Sequence, residues 1–240
     1  MTATAYVRPV EDEDEPARPG RRRVLMIVVL VTVLVAVAGV WIIGFSSVFG
    51  VRTIQVRGTQ VLTAAQVRTA ADIPTGTPLV RVDTTAATRR IERLAVVDSA
   101  QVRTSFPSTV VITIAERQPV GYVHRGGRDV LVDRTGDQYR SVAKAPAHLP
   151  RFVVPSGTDA RTTGGAVATV AAALPADVRA KVISIEALDP RAITLVLTRG
   201  RVVSWGSAAR SADKARILPA LLGRGAQHID VTNPDLPFTR

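Results

Sequence analysis

The chain has 240 residues, which is enough for one or two modest domains beside any membrane segment. Aromatic residues make up only 4% of it and cysteine is absent, so the composition favours small aliphatic cores and excludes disulfides, thiolate metal sites and thiol nucleophiles. The formal net charge of +11 lies beyond residue 45, because the charges of residues 1–23 cancel and residues 24–45 carry none. Such a basic region suggests nucleic acid, anionic lipid or an anionic polymer as a neighbour, although an arginine- and alanine-rich proteome explains it equally well.

Residues 24–45 form an uninterrupted apolar run, and within it the small residues Ala36 to Gly39 resemble a signal-peptide cleavage site. The run has 22 residues, and a helix that rises about 1.5 Å per residue can then cross a hydrocarbon core of about 30 Å. A secretory signal has an apolar core of only about 7–15 residues, and cleavage after Ala38 would leave an exposed apolar N-terminus. We therefore predict a retained transmembrane helix.

The charges that flank this run predict its orientation. Three arginines at 21–23 abut its start, whereas its far end has only Arg52 nearby. Positive residues stay on the cytoplasmic side, so residues 46–240 are predicted to lie outside the membrane. Residues 1–23 become a cytoplasmic tail, which we expect to be disordered because it is rich in proline and charge. A basic region outside the membrane excludes nucleic acid as its partner.

Beyond the membrane segment, the apolar periodicity predicts a compact α+β unit of order β-α-α-β-β. Its elements are a strand at 51–58, a helix at 62–73 with Thr63 as N-cap, a loop at 74–83, a helix at 84–97, and strands at 97–107 and 108–119. In the second helix Ala87 and Ile91 face inward and Arg90 faces solvent. The last two strands share a turn at Pro107 and should form an antiparallel hairpin.

A second module of short strands and turns begins after Pro119 and predicts a mixed, mostly antiparallel β domain with covering helices. Its elements are a hairpin at 127–142, a strand at 151–155, a helix at 162–182 interrupted at Pro175, strands at 181–188, 192–200 and 201–206, a helix at 207–225, and a last strand at 226–234. Pro234 is expected to close that strand and to stop further pairing.

The sequence contains no recognisable catalytic set. His124, His148 and His228 are scattered, without a carboxylate or a second histidine at ligand spacing, and no nucleophile elbow, S-x-x-K or P-loop is present. Asp133 and Asp137 flank a glycine, but the ring of carboxylates and the closing glutamate of a calcium loop are missing. We therefore predict no enzymatic activity, no cofactor and no metal site.

Binding remains, and a sheet edge can recruit another chain by strand addition. The terminal strand, His228 to Val231, is the best candidate edge because it is short, late in the chain and followed by Pro234.

Several segments resemble the FtsQ/DivIB family of bacterial cell-division proteins, and we expect an actinobacterial source. These segments are IQVRG at 54–58, GTPLVRVD at 76–83, VRTSFPSTVVITIAERQPV at 102–120, LVDRTGDQY at 131–139, and WGSAARSADKARIL followed by HIDVTNP near the end of the chain. The resemblance spans most of residues 45–233. It implies a POTRA domain at 49–118, an FtsQ-type β domain at 119–233 and a C-terminal tail at 234–240.

The resemblance also implies a function. Family members are non-enzymatic scaffolds that concentrate at the division septum and bridge early division proteins to the septal synthases FtsW and FtsI. They do so by binding the coiled-coil proteins FtsB/DivIC and FtsL outside the membrane. Carried onto this chain, the partner-binding positions are Ile229, Asp230, Val231 and Asn233 in the last strand, and Val102, Arg103 and Thr104 in the strand before the proline turn.

Two alternatives bear on individual residues. Family members often have a lysine where Thr104 stands, which weakens the contact inferred there. Ile229 and Val231 are equally well explained as core-facing strand residues, without a partner.

Other classes of protein stay open for the chain as a whole. One is a membrane-anchored POTRA module for protein transport or assembly, although such proteins usually carry several POTRA units and a β-barrel. Another is an anchored module that binds anionic lipid or wall polymer through its basic exterior.

Overall fold

The computed structural model describes residues 20–45, 49–155 and 160–239. These residues form one apolar helix near the N-terminus and two β-sheets that are flanked by helices. The α+β class predicted from the sequence is therefore confirmed. Most of the predicted cytoplasmic tail, residues 1–19, lies outside the described residues.

The first helix, α1, spans Arg21–Phe45. Residues 21–39 are long and apolar enough to cross a membrane, judged by length and composition, and none of them is buried. The helix begins at the arginine cluster because arginine is a good helix former and no proline or glycine interrupts it there. It is consistent with a single-pass membrane anchor.

The first sheet has three strands in the order β1-β3-β2. The elements of this unit are β1 Thr53–Arg57, α2 Ala64–Ala71, α3 Thr84–Glu92, β2 Val97–Ser105 and β3 Thr109–Glu116. The predicted β-α-α-β-β order and the β2–β3 hairpin are confirmed. β1 runs parallel to β3 because two helices separate it from the hairpin in sequence. Alternate residues of β3, with Ala87 and Ile91 of α3, form the core.

Three local features refine the sequence predictions for this unit. Thr63 caps α2 as expected, in a capping box with Gln66. The predicted loop at 74–83 contains a short 3-10 turn, Leu79–Arg81, since a proline just before a helical turn does not disrupt it. Arg90 does not face solvent freely: it is half-buried, and its Nε and Nη2 donate to the Ala71 carbonyl at 3.0 and 2.6 Å, where the end of α2 leaves that oxygen unpaired.

The second sheet has nine strands in the described part of the chain, in the order β12-β11-β10-β9-β8-β7-β4-β5-β6. The strands are β4 Pro119–Arg125, β5 Arg128–Asp133, β6 Gln138–Val142, β7 Arg151–Val153, β8 Val182–Ala187, β9 Ile193–Leu197, β10 Val202–Gly206, β11 His228–Asp230 and β12 Phe238–Thr239. The helices are α4 Ala160–Ala173, α5 Ala176–Arg179 and α6 Ser211–Gly223. The sheet is mixed, as predicted, with parallel pairs at β4–β7, β7–β8 and β10–β11.

The sequence analysis missed β4 and β12. The central glycine of β4, Gly121, hides the strand pattern, yet the sheet requires it: a Cβ on Gly121 would lie 2.2 Å from the Phe152 ring. The expectation that Pro234 stops further pairing was wrong, because the chain turns after it and adds β12 to the sheet.

Arg117 links the two sheets. Its Nε donates to the Val97 carbonyl at 3.1 Å, and its Nη1 forms a short ion pair with Asp133, which lies at the end of β5. Asp133 also accepts hydrogen bonds from the backbone N–H groups of Thr135 and Asp137. Its carboxylate therefore stabilises the β5–β6 turn. Asp133, one of the two aspartates that flank the glycine of this loop, thus has a structural role.

Candidate partner-binding edge of the second sheet

The predicted recognition strand, β11, lies near one end of the nine-stranded sheet. It pairs in parallel with β10, with Ile229 opposite Val203, and this pairing continues as the Val231 N–H donates to the Ser204 carbonyl at 3.0 Å. The two strands are parallel because α6 crosses between them along the chain.

Side chains of this strand alternate between the core and the surface. Ile229 is 1% exposed and Val231 is 0% exposed, so both lie in the core, in accord with their interpretation as strand residues that face inward. Asp230 and Asn233 are exposed. A partner at this edge would therefore meet the outward backbone groups of Asp230 and the exposed side chains of Asp230 and Asn233, and not the buried side chains of Ile229 and Val231.

The edge itself differs from the sequence expectation. β12 lies outside β11, with Thr239 opposite Ile229 and Phe238 opposite Asp230. Since the Val231 N–H points to β10 and backbone groups alternate along a strand, the Asp230 N–H points toward β12. The strand that we expected to be free is thus covered by the last residues of the same chain.

β12 shields the edge of β11 only weakly. β12 has two residues, Phe238 is mostly exposed, and the preceding Pro237 has no N–H to donate to a neighbour. An isolated two-residue strand contributes little stability of its own, so other contacts must hold the tail in place.

One of those contacts is an ion pair between Asp235 and Arg210. Nη1 and Nη2 of Arg210 donate to the two carboxylate oxygens at 2.7 and 2.9 Å. The hydrogen bonds from Arg210 lower the pKa of Asp235. Asn233 contributes as well, because its Oδ1 accepts from the Asp235 N–H at 3.1 Å. Arg210 adopts a left-handed backbone, with φ of 55°, directly before α6.

Beneath this corner lies Lys214, which the sequence analysis did not single out. It is buried in α6, and its Nζ donates to the carbonyls of Trp205 and Ser207, each at 2.9 Å. Burial lowers the pKa of Lys214, the nearby Arg210 lowers it further, and Asp230 opposes them. The sequence contained an indication of this burial. Lys214 stands four residues before Leu218, so the two residues share one face of α6, and that face is apolar.

The other predicted positions lie in β2, an outer strand of the first sheet. Val102 is buried, whereas Arg103 and Thr104 are exposed. The structure therefore brings the seven predicted residues together in two groups on two different sheets, each at or beside a sheet edge.

The structure shows one histidine–carboxylate pair that was not predicted from the sequence. The His124 Nδ1 lies 2.8 Å from the Asp129 Oδ1, since these residues face each other across the β4–β5 hairpin. The pKa of Asp129 is lowered by the His124 hydrogen bond and by the Ala145 N–H. Within the described ranges, no three histidine and carboxylate side chains come together as a group able to hold a metal ion.

Comparisons with known proteins agree on one family. The sequence model "POTRA domain, FtsQ-type" matches residues 49–117, and the model "Cell division protein FtsQ/DivIB, C-terminal" matches residues 121–232. The cell division protein FtsQ of Streptomyces venezuelae is 39% identical, over 93% of this chain and 89% of that one. FtsQ of Mycobacteroides abscessus is 35% identical, over 92% of this chain and 70% of that one.

A solved structure shows a looser likeness. It is the major extracytoplasmic domain of the cell division protein DivIB from Geobacillus stearothermophilus, which is 21% identical at a TM-score of 0.36. The match covers 44% of this chain and 91% of that domain. At this TM-score the likeness carries no weight for function.

Proposed function

The chain belongs to the FtsQ/DivIB family of bacterial cell-division proteins, and on that premise we propose that it is a non-enzymatic scaffold held by α1 outside the membrane at the division septum. FtsQ/DivIB membership supports a division scaffold role. Residues 49–118 would serve as the POTRA domain, residues 119–233 as the β domain and residues 234–240 as a C-terminal tail, in which Phe238–Thr239 form the outer strand of the sheet.

The scaffold recruits an FtsB/DivIC-like coiled-coil protein, paired with an FtsL-like one, and reaches FtsW and FtsI through them. The observation that supports this proposal is the end of the second sheet, where among the described residues a two-residue strand is all that lies outside β11. A longer strand from the partner replaces β12 and pairs with the outward backbone groups of β11. The exposed Asp230 and Asn233 then contribute to selectivity.

The second group, Val102, Arg103 and Thr104, is assigned to recruitment of the protein to the division machinery. β2 pairs only with β3 among the described residues, so its outer backbone groups face away from the sheet. Arg103 and Thr104 are exposed beside that edge.

The test of strand addition uses the outward N–H of Asp230. Asp230→Pro removes this donor while leaving the pairing with β10, because a proline is tolerated at an edge where its nitrogen faces outward. Asp230→Asn is the matched control, since it keeps both the N–H and the side-chain oxygen that accepts from the Thr232 N–H at 2.8 Å. The full chain, in detergent, is tested for capture of the FtsB/DivIC-like partner of the same organism.

We expect capture to be lost with Asp230→Pro and retained with Asp230→Asn. Truncation after Pro234 removes β12 and should strengthen capture, because the partner no longer displaces it. Equal capture by the wild type and Asp230→Pro, both folded by circular dichroism, overturns strand addition at β11. Weaker capture after truncation places the partner on β12 instead.

The wall-polymer alternative makes a different prediction. The affinity for an anionic polymer, bound through the basic exterior, would decline steeply as the salt concentration rises, and substitutions at Asp230 would not affect it. Salt-dependent retention of the chain on isolated cell wall, unchanged in Asp230→Pro, favours that function.

A further inference from the structure

Three segments of the first sheet unit converge where the chain enters it from α1. Gly50 forms a β-bridge with Pro78, and the Val51 N–H donates to the Thr77 carbonyl at 2.9 Å. On the other side, the Arg52 N–H donates to the Ser108 carbonyl at 2.8 Å, in the turn of the β2–β3 hairpin. The entry strand is therefore held between the 3-10 turn and the hairpin turn.

This end of the unit carries exposed apolar side chains. Phe106, at the hairpin turn, is 61% exposed, and Val80, in the 3-10 turn, is 55% exposed. The Phe106 ring packs edge-on against Phe49, with 6.3 Å between the ring centroids. We call Phe49, Arg52, Val80 and Phe106 the membrane-proximal surface.

The charges of the same segments have one sign. Residues 49–52, 77–81 and 105–108 contain two arginines, Arg52 and Arg81, and no aspartate or glutamate. Aromatic and aliphatic side chains beside arginine, without acidic neighbours, are the composition that suits a bilayer interface, where the ring enters the headgroup region and the guanidinium meets phosphate.

The covalent connection sets how far this surface can lie from the bilayer. Only three residues separate the end of α1 at Phe45 from Phe49. Four residue steps span at most about 14 Å even when fully extended. Cα atoms of α1 and of the 3-10 turn also come within 8 Å of each other. The lipid around the anchor is therefore within reach of Phe106 and Val80.

We propose that the membrane-proximal surface docks on the bilayer leaflet beside the anchor, with Phe106 and Val80 at the level of the headgroups and Arg52 against anionic lipid phosphate. The anchor helix and this surface together give two attachments, which restrict how the first unit tilts on the membrane. The proposal does not depend on partner binding at β11, so either can fail without the other.

Spin labelling provides the test, because the native chain contains no cysteine. Phe106→Cys places one nitroxide at the membrane-proximal surface. Val61→Cys is the matched control: Val61 is also an exposed apolar residue, at 46%, but lies past Gly58 at the opposite end of β1. Each full-length variant is placed at one copy per nanodisc, either with phosphatidylglycerol or with neutral lipid only. Collision rates are measured with oxygen, which concentrates in lipid, and with a water-soluble nickel chelate.

We expect a higher ratio of oxygen to nickel collisions at position 106 than at position 61, and a further rise in anionic discs. Arg52→Gln should lower the ratio at position 106 in anionic discs and leave it unchanged in neutral ones. Equal ratios at the two positions in both lipids overturn the proposal. A label at position 106 that is protected from both reagents indicates a protein contact, which overturns it as well.

Discussion

Arg210 holds Asp235 through two parallel hydrogen bonds, Nη1 to Oδ2 at 2.7 Å and Nη2 to Oδ1 at 2.9 Å. The residues are 25 positions apart, so the pair ties the start of α6 to the tail that carries β12. The tail covers the strand to which we assign partner binding. This ion pair therefore sits where it can control access to β11.

Asp235→Asn should loosen the tail without unfolding the protein. Both side chains are at least half exposed, and exposed ion pairs contribute little to stability, so the free energy of global unfolding should hardly change. Hydrogen exchange at the Phe238 and Thr239 amides should accelerate. Arg210→Lys should have the same effect, because a lysine cannot make the two-pronged contact. Unchanged exchange in both variants means that other contacts hold the tail.

Glu116→Gln should destabilise the first sheet unit. The carboxylate of Glu116 accepts hydrogen bonds from the backbone N–H groups of residues 60–62 at 2.8–3.1 Å. A neutral amide accepts these hydrogen bonds more weakly and places an NH2 group where Oε2 now accepts from the Val61 N–H. Hydrogen bonds to a charged group contribute about 1.5–3 kcal/mol, so we expect a loss of that order by chemical denaturation. Glu92→Gln is the control, since Glu92 accepts a single long bond of 3.3 Å and should change little.

The same residue predicts a pH dependence. Burial acts to raise the pKa of Glu116, but the N–H groups of Leu62, Gln60 and Val61 together hold it below its ordinary 4.5. A lowered folded-state pKa stabilises the protein above the unfolded value, and this contribution disappears as pH falls through the folded value. The difference in unfolding free energy between wild type and Glu116→Gln should therefore be constant above about pH 5 and shrink below pH 4.5. A difference that is flat down to pH 2 contradicts this account.

Lys214→Met should destabilise the second sheet by more than the change in side-chain size alone would. The ammonium group donates to the carbonyls of Trp205 and Ser207, and removing it takes away this donor from one buried and one part-buried acceptor. We expect a loss of about 1–3 kcal/mol in the free energy of unfolding, followed by tryptophan fluorescence. Lys181→Met, at an exposed position, is the matched control and should leave stability nearly unchanged. Equal effects of the two substitutions would show that the buried contacts contribute little.

Arg117→Lys should reduce the coupling between the two sheets. Arg117 contacts Val97 of the first sheet unit and Asp133 of the second at once, which a lysine cannot do with one nitrogen. Protection of the amides around Val97 and in the β5–β6 turn should fall together in hydrogen exchange. Arg57→Lys serves as the control, since Arg57 is exposed and its side chain donates to Gln55 of the same strand. Independent changes in the two regions would argue against coupling through Arg117.

Local patterns predicted most elements of this fold. The capped helix at Thr63, the β2–β3 hairpin and the strands at β8, β9 and β10 all follow from apolar spacing and from turn residues. Three of the misses have a common cause. β12, the pair of His124 with Asp129, and the environment of Lys214 all depend on residues that are distant in sequence or on opposite strands.

The arrangement of the candidate site was likewise predicted only in part from the sequence. The sequence correctly indicated that Ile229 and Val231 could be core residues, and it pointed to the last strand as the place for a partner. It could not reveal that residues beyond Pro234 return to cover that strand, since the contacts made on the return, such as that of Arg210 with Asp235, join residues that are distant in sequence.

By itself, the sequence determined the apolar N-terminal helix, the order of most helices and strands, and the family, because periodicity, charge and short motifs are local properties of the chain. Only the tertiary structure decided which strand forms the sheet edge, which lysine is buried, and which side chains lie beside the membrane anchor. Those outcomes depend on hydrogen bonds and packing between distant segments, which no local pattern records.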